Sequence, residues 1–114
     1  MGEIETPSVP VDAVPELLAP DVVLLDVREP DEWELGHAPG ALHIPLEDVP
    51  ARLAEIDIDA VLYVICRQGG RSRIAAEYLN NLGYEAANVA GGMVAWQQAG
   101  RPLTSTAGPE AKIY

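Results

Sequence analysis

One stretch of this chain, residues 60–82, limits the possible folds more than any other. It begins with the apolar run Ala60 to Ile65, which is typical of a strand covered on both faces in a parallel sheet. A glycine-rich loop of sequence CRQGGRS follows. Apolar side chains then recur at the spacing of one helix face, at Ile74, Ala75, Tyr78, Leu79 and Leu82. The stretch therefore predicts a buried strand, a short loop and an amphipathic helix that ends at Gly83.

The rest of the chain repeats this alternation of short apolar runs and helix-like segments. Besides the run at 60–65, strands are predicted near 8–10 and at 22–25, 41–44 and 86–89. Helices are predicted at 11–19, from Pro30, from Pro45 and at 93–99. Such alternation favours a three-layer α/β/α fold, in which helices cover both faces of a mostly parallel sheet. Because crossovers are right-handed, the carboxyl ends of the strands meet at one rim, where we expect a single site.

The length of the chain limits the number of domains, and its net charge limits the classes of binding partner. A chain of 114 residues fits one domain. We expect a flexible lead-in over residues 1–7, the folded domain over 8–103 and a mobile tail over 104–114, where no periodic pattern continues. A net charge of −11 argues against nucleic acid and anionic membranes as partners, since both would repel the chain.

Cysteine usage and the absence of targeting patterns favour the cytoplasm. One cysteine cannot form an internal disulfide, and one cysteine with two histidines makes a poor zinc site, so no metal is expected. The sequence begins without the basic and apolar segments of a signal peptide. Its apolar runs are all much shorter than the ~20 residues of a membrane span.

The single cysteine, Cys66, follows the central strand and faces the start of the next helix. Three of the seven basic residues lie around it: Arg67, Arg71 and Arg73. Guanidinium groups and a helix N-terminus lower a cysteine pKa from its usual value near ~8.5. Gly69 and Gly70 allow the backbone to curl, so that several N–H groups point inward as an anion-binding nest. We therefore predict a thiolate that attacks a small anion bound above it.

Two reactions fit a cysteine in such a cradle, namely sulfur transfer and hydrolysis of a phosphate ester. Phosphoryl transfer usually needs a general acid for the leaving group, and the sequence identifies none. Sulfur transfer in which sulfite or a thiolate leaves needs much less acid help. The residues favour sulfur transfer and leave the other reaction open.

Four short motifs, in order along the chain, closely resemble the rhodanese family. They are Asp26-Val27-Arg28-Glu29, Gly36 to Ala41 followed by Ile44-Pro45, Cys66 to Ser72, and Gly91-Gly92 with Trp96. The match spans roughly residues 8–103 and is similar to the single-domain form, without a second, inactive domain. The resemblance implies a five-stranded parallel sheet with helices on both faces.

The resemblance also implies a reaction. Cys66 takes a sulfane sulfur as a persulfide from a small anionic donor of the thiosulfate type and passes it to cyanide, a thiol or a protein acceptor, without a cofactor. The N–H groups that hold the persulfide belong to Arg67, Gln68, Gly69, Gly70, Arg71 and Ser72, and the side chains of Arg67, Gln68 and Arg71 shape donor preference. The six-residue loop from Cys66 to Arg71 is one residue shorter than the cradle of the related phosphatases, which suits attack on sulfur.

Two alternative functions are kept. One is a persulfide carrier or binding module in a protein sulfur relay. The other, less favoured, is a cysteine-dependent phosphatase or arsenate reductase.

Three further residues are expected on the same rim, behind the loop. We interpret Asp26 and Arg28 as structural, with the carboxylate anchoring loop amides and the arginine pairing with an acid of the run 29–34. His37 lies in a Gly/Pro turn, which we expect it to hold by hydrogen bonding rather than act as a base.

Overall fold

The computed structural model describes residues 5–106, 108 and 110–114. Its sheet contains β1 (Ser8–Val9), β2 (Val22–Asp26), β3 (Leu42–His43), β4 (Val61–Ile65) and β5 (Glu85–Val89). The strands lie in the order β1-β5-β4-β2-β3, and every pair is parallel. The expected α/β fold with a five-stranded parallel sheet is therefore confirmed.

Helical segments connect these strands in the described part of the chain. The α-helices are α1 (Pro30–Leu35), α2 (Gly70–Asn81) and α3 (Gly92–Gln98). The shorter 3-10 segments are Val11–Ala13, Leu46–Asp48 and Pro50–Glu55. Among the described residues, no helix has the length and apolar character needed to cross a membrane.

The central strand β4 supplies side chains to both faces of the sheet. Leu62 and Val64 belong to an apolar cluster that includes Leu79 of α2. Tyr63 and Ile65 point the other way, since successive strand residues alternate, and pack in a second cluster with α3. This two-sided burial explains the unbroken apolar run in the sequence and fixes where the strand ends.

Two predicted helices are shorter than expected because of proline. The segment at 11–19 forms only the turn Val11–Ala13, since Val14 precedes Pro15 and adopts an extended conformation with ψ of 124°. The helix predicted from Pro45 is divided into two 3-10 segments, the second beginning at Pro50. Proline has no N–H to donate to the preceding turn, so a continuous α-helix is interrupted there.

The prediction for the buried face of α2 was wrong in part. Ile74, Tyr78 and Leu82 are 59%, 37% and 45% exposed. The residues that face the sheet are Ser72, Ala75, Ala76, Leu79 and Asn80. Alanines bring the helix close to the sheet, and the two polar residues among them have hydrogen-bond partners. Apolar periodicity alone therefore selected a face that is rotated away from the core.

The C-terminal segment packs against the domain, contrary to the expectation of a mobile tail. Thr104 forms an antiparallel bridge with His37. The Lys112 N–H donates to the Leu35 carbonyl at 2.9 Å, and Ile113 is 7% exposed within the α3 cluster. Residues 110–114 thus form a strap across the end of α1.

Candidate active site

The end of β4 delivers Cys66 into a curled loop whose N–H groups point at its sulfur. The Gly69 N–H donates to Sγ at 3.1 Å, and the backbone groups of Gln68 and Ser72 also hydrogen-bond to the sulfur. Gly69 has φ of 121°, a conformation that glycine adopts without strain. The predicted nest of amides is thus present around the thiol.

Opposing influences act on the pKa of Cys66. Burial is the largest single influence and raises the thiol pKa, because it disfavours the charged form. Hydrogen bonds from the Ser72 side chain and from the backbone of Ser72, Gly69 and Gln68 lower it. Together these bonds outweigh burial, so the pKa of Cys66 lies below its ordinary value.

The turn at Gly91 and Gly92 brings α3 against the loop from behind. The Met93 N–H donates to the Cys66 carbonyl at 2.8 Å, and the Val94 N–H donates to the Arg67 carbonyl at 3.0 Å. A Cβ on Gly92 would lie 2.4 Å from the Cys66 carbonyl oxygen. Only glycine allows α3 to approach the loop this closely. The helix N–H groups bond to the loop carbonyls, so the loop N–H groups remain free to point at the sulfur.

Arg71 does not point freely at the thiol as the sequence suggested. Its guanidinium forms two hydrogen bonds with the Glu32 carboxylate, at 2.6 and 3.0 Å. Glu32 raises the pKa of Arg71, and the charge of Cys66 raises it to a lesser extent. Arg71 therefore interacts electrostatically with the thiolate while its donors are engaged by a neighbouring acid.

The other loop residues take distinct positions. The Arg67 Nε donates to the Tyr114 carbonyl oxygen at 2.5 Å, which ties the loop to the strap. Gln68 contributes backbone donation to the sulfur, and Gly70 is the first residue of α2. A cleft of about 190 Å³ opens beside the loop, lined by Arg28, Asp31, Glu32, Leu35 and Tyr114.

Asp26 and Arg28 form a buried ion pair that supports this arrangement. Arg28 Nη2 donates to Asp26 Oδ2 at 2.7 Å and to the Gly36 carbonyl at 2.8 Å. The structural interpretation fits, but the partner differs from the expected one: Arg28 pairs with Asp26, and it reaches Glu32 only through that residue's carbonyl, at 3.4 Å. The pair thereby braces α1, which presents Glu32 to Arg71.

His37 lies behind α1 rather than against the sulfur. Its Nδ1 is 2.7 Å from the Trp33 carbonyl, and its ring stacks on the Trp33 ring with centroids 3.6 Å apart. Its backbone bonds in both directions to Thr104. These contacts are consistent with a residue that stabilises its turn by hydrogen bonding.

Comparison with known proteins places this geometry in a family. The family profile described as a rhodanese-like domain matches residues 11–99. The chain belongs to the rhodanese-like domain family. It is 39% identical over 89 residues to a sulfurtransferase of Allochromatium vinosum, an alignment that covers 77% of this chain and 83% of that protein.

Two further relatives illustrate the range of this rhodanese-like domain. A putative sulfur carrier protein of Bacillus subtilis, YrkF, is 42% identical over 74 residues, covering 64% of this chain and 40% of that protein. The crystal structure of a rhodanese-like domain protein from Staphylococcus aureus superposes with a TM-score of 0.73 at 34% identity, covering 80% of this chain and 91% of that one.

Sequence reasoning missed three residues of the rhodanese-like site. The sequence places Glu32 in the acidic run 29–34, expected only to pair with Arg28, and Tyr114 in the tail 104–114. Asn88, which bonds to Ser72, went unremarked. A polar residue inside a short apolar strand was the available signal for Asn88, since a buried amide requires partners. No pattern in the sequence pairs Glu32 with Arg71, which lies 39 residues away.

Proposed function

We propose that this rhodanese-like domain is a sulfurtransferase that carries a sulfane sulfur as a persulfide on Cys66. The observation that supports the proposal best is the convergence of the Gln68, Gly69 and Ser72 backbone groups on Sγ. These donors stabilise a thiolate before the reaction and an anionic sulfur species after it.

The reaction proceeds as a double displacement. The Cys66 thiolate attacks the outer sulfur of a thiosulfate-type donor, forming a new S–S bond, while the donor S–S bond breaks and sulfite leaves with the bonding electrons. Cyanide or a thiolate then attacks the outer sulfur of the persulfide. The S–S bond to Cys66 breaks, and the electrons return to Sγ as the thiolate.

Burial of the thiol limits the donors. Cys66 is 2% exposed, so a substrate must be small or must project its reactive sulfur from a narrow group. The short loop from Cys66 to Arg71 is consistent with this size. Arg67 and Arg71 supply positive charge beside the loop, and we propose that they and Gln68 contact the rest of the donor. We further propose the cytoplasm as the compartment, where thiols stay reduced.

Steady-state kinetics with thiosulfate and cyanide test this proposal. A double displacement gives parallel lines in double-reciprocal plots, and Cys66→Ser abolishes turnover while the protein stays folded. Ser72→Ala is a milder variant, since it removes one hydrogen bond to the sulfur and keeps the nucleophile Cys66. Turnover that persists in Cys66→Ser would move the chemistry to another residue.

A carrier that receives sulfur from a protein is the second candidate, and one observation favours it. Arg71 is engaged by Glu32 and Arg67 by the Tyr114 carbonyl, so both loop cations already have partners. A free anion therefore meets a weaker positive field than the sequence suggested. A carrier predicts that Cys66 takes up sulfur slowly from thiosulfate and much faster from a protein persulfide.

A further inference from the structure

A row of hydrogen-bonded side chains runs from the buried thiol to the surface. Cys66 Sγ lies 3.2 Å from Ser72 Oγ, and the Ser72 hydroxyl donates to Asn88 Oδ1 at 2.6 Å. Asn88 Nδ2 then donates to Ser8 Oγ at 3.1 Å. Ser72 is 0% exposed and Asn88 1% exposed, whereas Ser8 is exposed. The row connects the sulfur to solvent through two fully buried groups.

The sheet places Asn88 directly behind the loop. Asn88 lies on β5, opposite Ser8 of β1 on one side and Val64 of β4 on the other. A Cβ built on Gly69 would lie 3.8 Å from Asn88 Nδ2. The side-chain amide therefore lies directly beneath the residues that hold the sulfur.

The Ser72 hydroxyl has one hydrogen and two neighbouring acceptors, Cys66 Sγ and Asn88 Oδ1. Either atom of the Cys66–Ser72 pair can be the donor. When the Ser72 hydrogen goes to Asn88, Ser72 Oγ accepts the S–H of a neutral thiol. A thiolate needs the opposite direction, with Ser72 donating to the sulfur. The Asn88 carbonyl oxygen would then face a lone pair of Ser72 Oγ, which is unfavourable in a buried site.

We propose that Asn88 is a positioning residue whose side-chain amide turns over when Cys66 loses its proton to water. Nδ2 then donates to Ser72 Oγ, and Ser72 directs its hydrogen to the sulfur. The Ser8 hydroxyl, which can donate as well as accept, then donates a hydrogen bond to Asn88 Oδ1. Each buried polar group therefore keeps a partner. The inference rests on the proposed function for the reaction that this thiolate performs, but the coupling itself concerns only ionisation.

Several charged groups also lie around the thiol loop. They are Arg67 and Arg71 on the loop, Glu32 on α1, and the Asp26–Arg28 pair at the end of β2. The substitutions below leave all of them in place. A change in the Cys66 pKa in these variants therefore reports on the pair formed by Ser72 and Asn88.

The test is the pKa of Cys66 in the full chain, from the rate of iodoacetamide alkylation against pH. Asn88→Leu keeps the volume and removes both polar groups of the amide. We expect the thiol pKa to rise by about half a unit to one unit, because the Ser72–sulfur bond that Asn88 supports is charge-assisted, and therefore stronger, only when the sulfur is a thiolate. In a Ser72→Ala background the same substitution should produce no further change, because Asn88 acts through Ser72.

Asn88→Asp is the second variant, in case the leucine protein does not fold. Its carboxylate can only accept, and its negative charge opposes the thiolate, so the Cys66 pKa should rise further than with leucine. Asn80→Leu is the matched control, since Asn80 is also a buried asparagine but bonds to Ala86. In Asn80→Leu the pKa of Cys66 should stay at the wild-type value.

The outcomes separate the proposals. An unchanged or lower pKa in Asn88→Leu, an unchanged pKa in Asn88→Asp, or an equal shift with Ser72 removed overturns the role of Asn88. Alkylation needs no sulfur donor, so this result stands whether or not Cys66 transfers sulfur. Conversely, absent sulfur transfer would overturn the proposed function and leave the coupling intact.

Discussion

At the scale of single residues, hydrogen-bond donors rather than a bare positive charge lower the pKa of Cys66. Burial raises its pKa more than any other single influence, yet the donors of Ser72, Gly69 and Gln68 together bring it down. The arginine expected to stabilise the thiolate is paired with Glu32. The Ser72 side chain, followed by the backbone of the loop, is therefore what lowers the pKa of Cys66.

This balance predicts a pH dependence. Thiolate is the nucleophile, and the folded state lowers the Cys66 pKa, so alkylation should reach half its maximal rate below the pH of ~8.5 typical of a free cysteine. The same chain unfolded in guanidinium chloride is the control, with its midpoint near ~8.5. A folded-state midpoint at or above that of the unfolded chain would contradict the assigned role of the loop amides.

Glu32 offsets the positive charge of Arg71, which would otherwise face an anionic donor. Its pKa is lowered chiefly by the hydrogen bond from Arg71, so the carboxylate is charged at neutral pH. Glu32→Gln removes this charge and frees Arg71 for an anionic donor. We expect KM for thiosulfate to fall by up to about fivefold, corresponding to the upper range of a partly exposed ion pair.

Glu55→Gln provides a matched control for this substitution. Glu55 forms an exposed pair with Arg52 at 2.7 Å and lies outside the site, so its loss should leave KM unchanged. A rise in KM for Glu32→Gln would show instead that the carboxylate positions Arg71 for the donor.

At the scale of elements, the strap of residues 110–114 contacts both α1 and the thiol loop. A Cβ on Gly36 would lie 2.5 Å from the Lys112 carbonyl oxygen. The φ of Gly36 is 177°, extended backbone that any residue adopts, so alanine there should displace the strap without straining its own backbone. We expect the Lys112 and Ile113 amides, which donate to Leu35 and Gln97, to exchange much faster in Gly36→Ala.

Hydrogen exchange with mass spectrometry measures this change in the strap. Gly108→Ala is the control, because a Cβ at that position meets open space and should leave the exchange rates unchanged. Slow exchange of Lys112 and Ile113 in Gly36→Ala would contradict the close packing of the strap on α1.

The elements also show what local pattern can predict. Strand β4 and the loop after it followed from one apolar run, one cysteine and two glycines. The face of α2 did not follow, because Ser72 and Asn80 are buried through hydrogen bonds to Asn88 and Ala86 of β5, and apolar periodicity does not register such polar partners. The turn Val11–Ala13 and the two 3-10 segments show proline overriding apolar periodicity.

At the scale of the whole molecule, the parallel sheet brings distant residues to one rim. The order of short motifs predicted the fold and the placement of Cys66 with its amides. It did not predict the pairing of Arg71 with Glu32, the bond from Arg67 to Tyr114, or the row through Asn88. Each of these joins groups from separate parts of the chain, which only the folded domain brings together.

The net charge of −11 also acts at this scale. An acidic surface repels a free anionic donor, so the loop amides and the nearby arginines must attract it at short range. In the proposed function a single sulfur atom carries the transferred group, and its loading can be observed directly.

The most direct test is the mass of the intact protein after treatment with thiosulfate. We expect a gain of one sulfur atom, located by peptide mapping on the segment containing Cys66, and its loss on addition of cyanide. Cys66→Ser should gain nothing under the same conditions. A protein that stays at its original mass with thiosulfate and with a protein persulfide donor would contradict the claim that Cys66 carries sulfur.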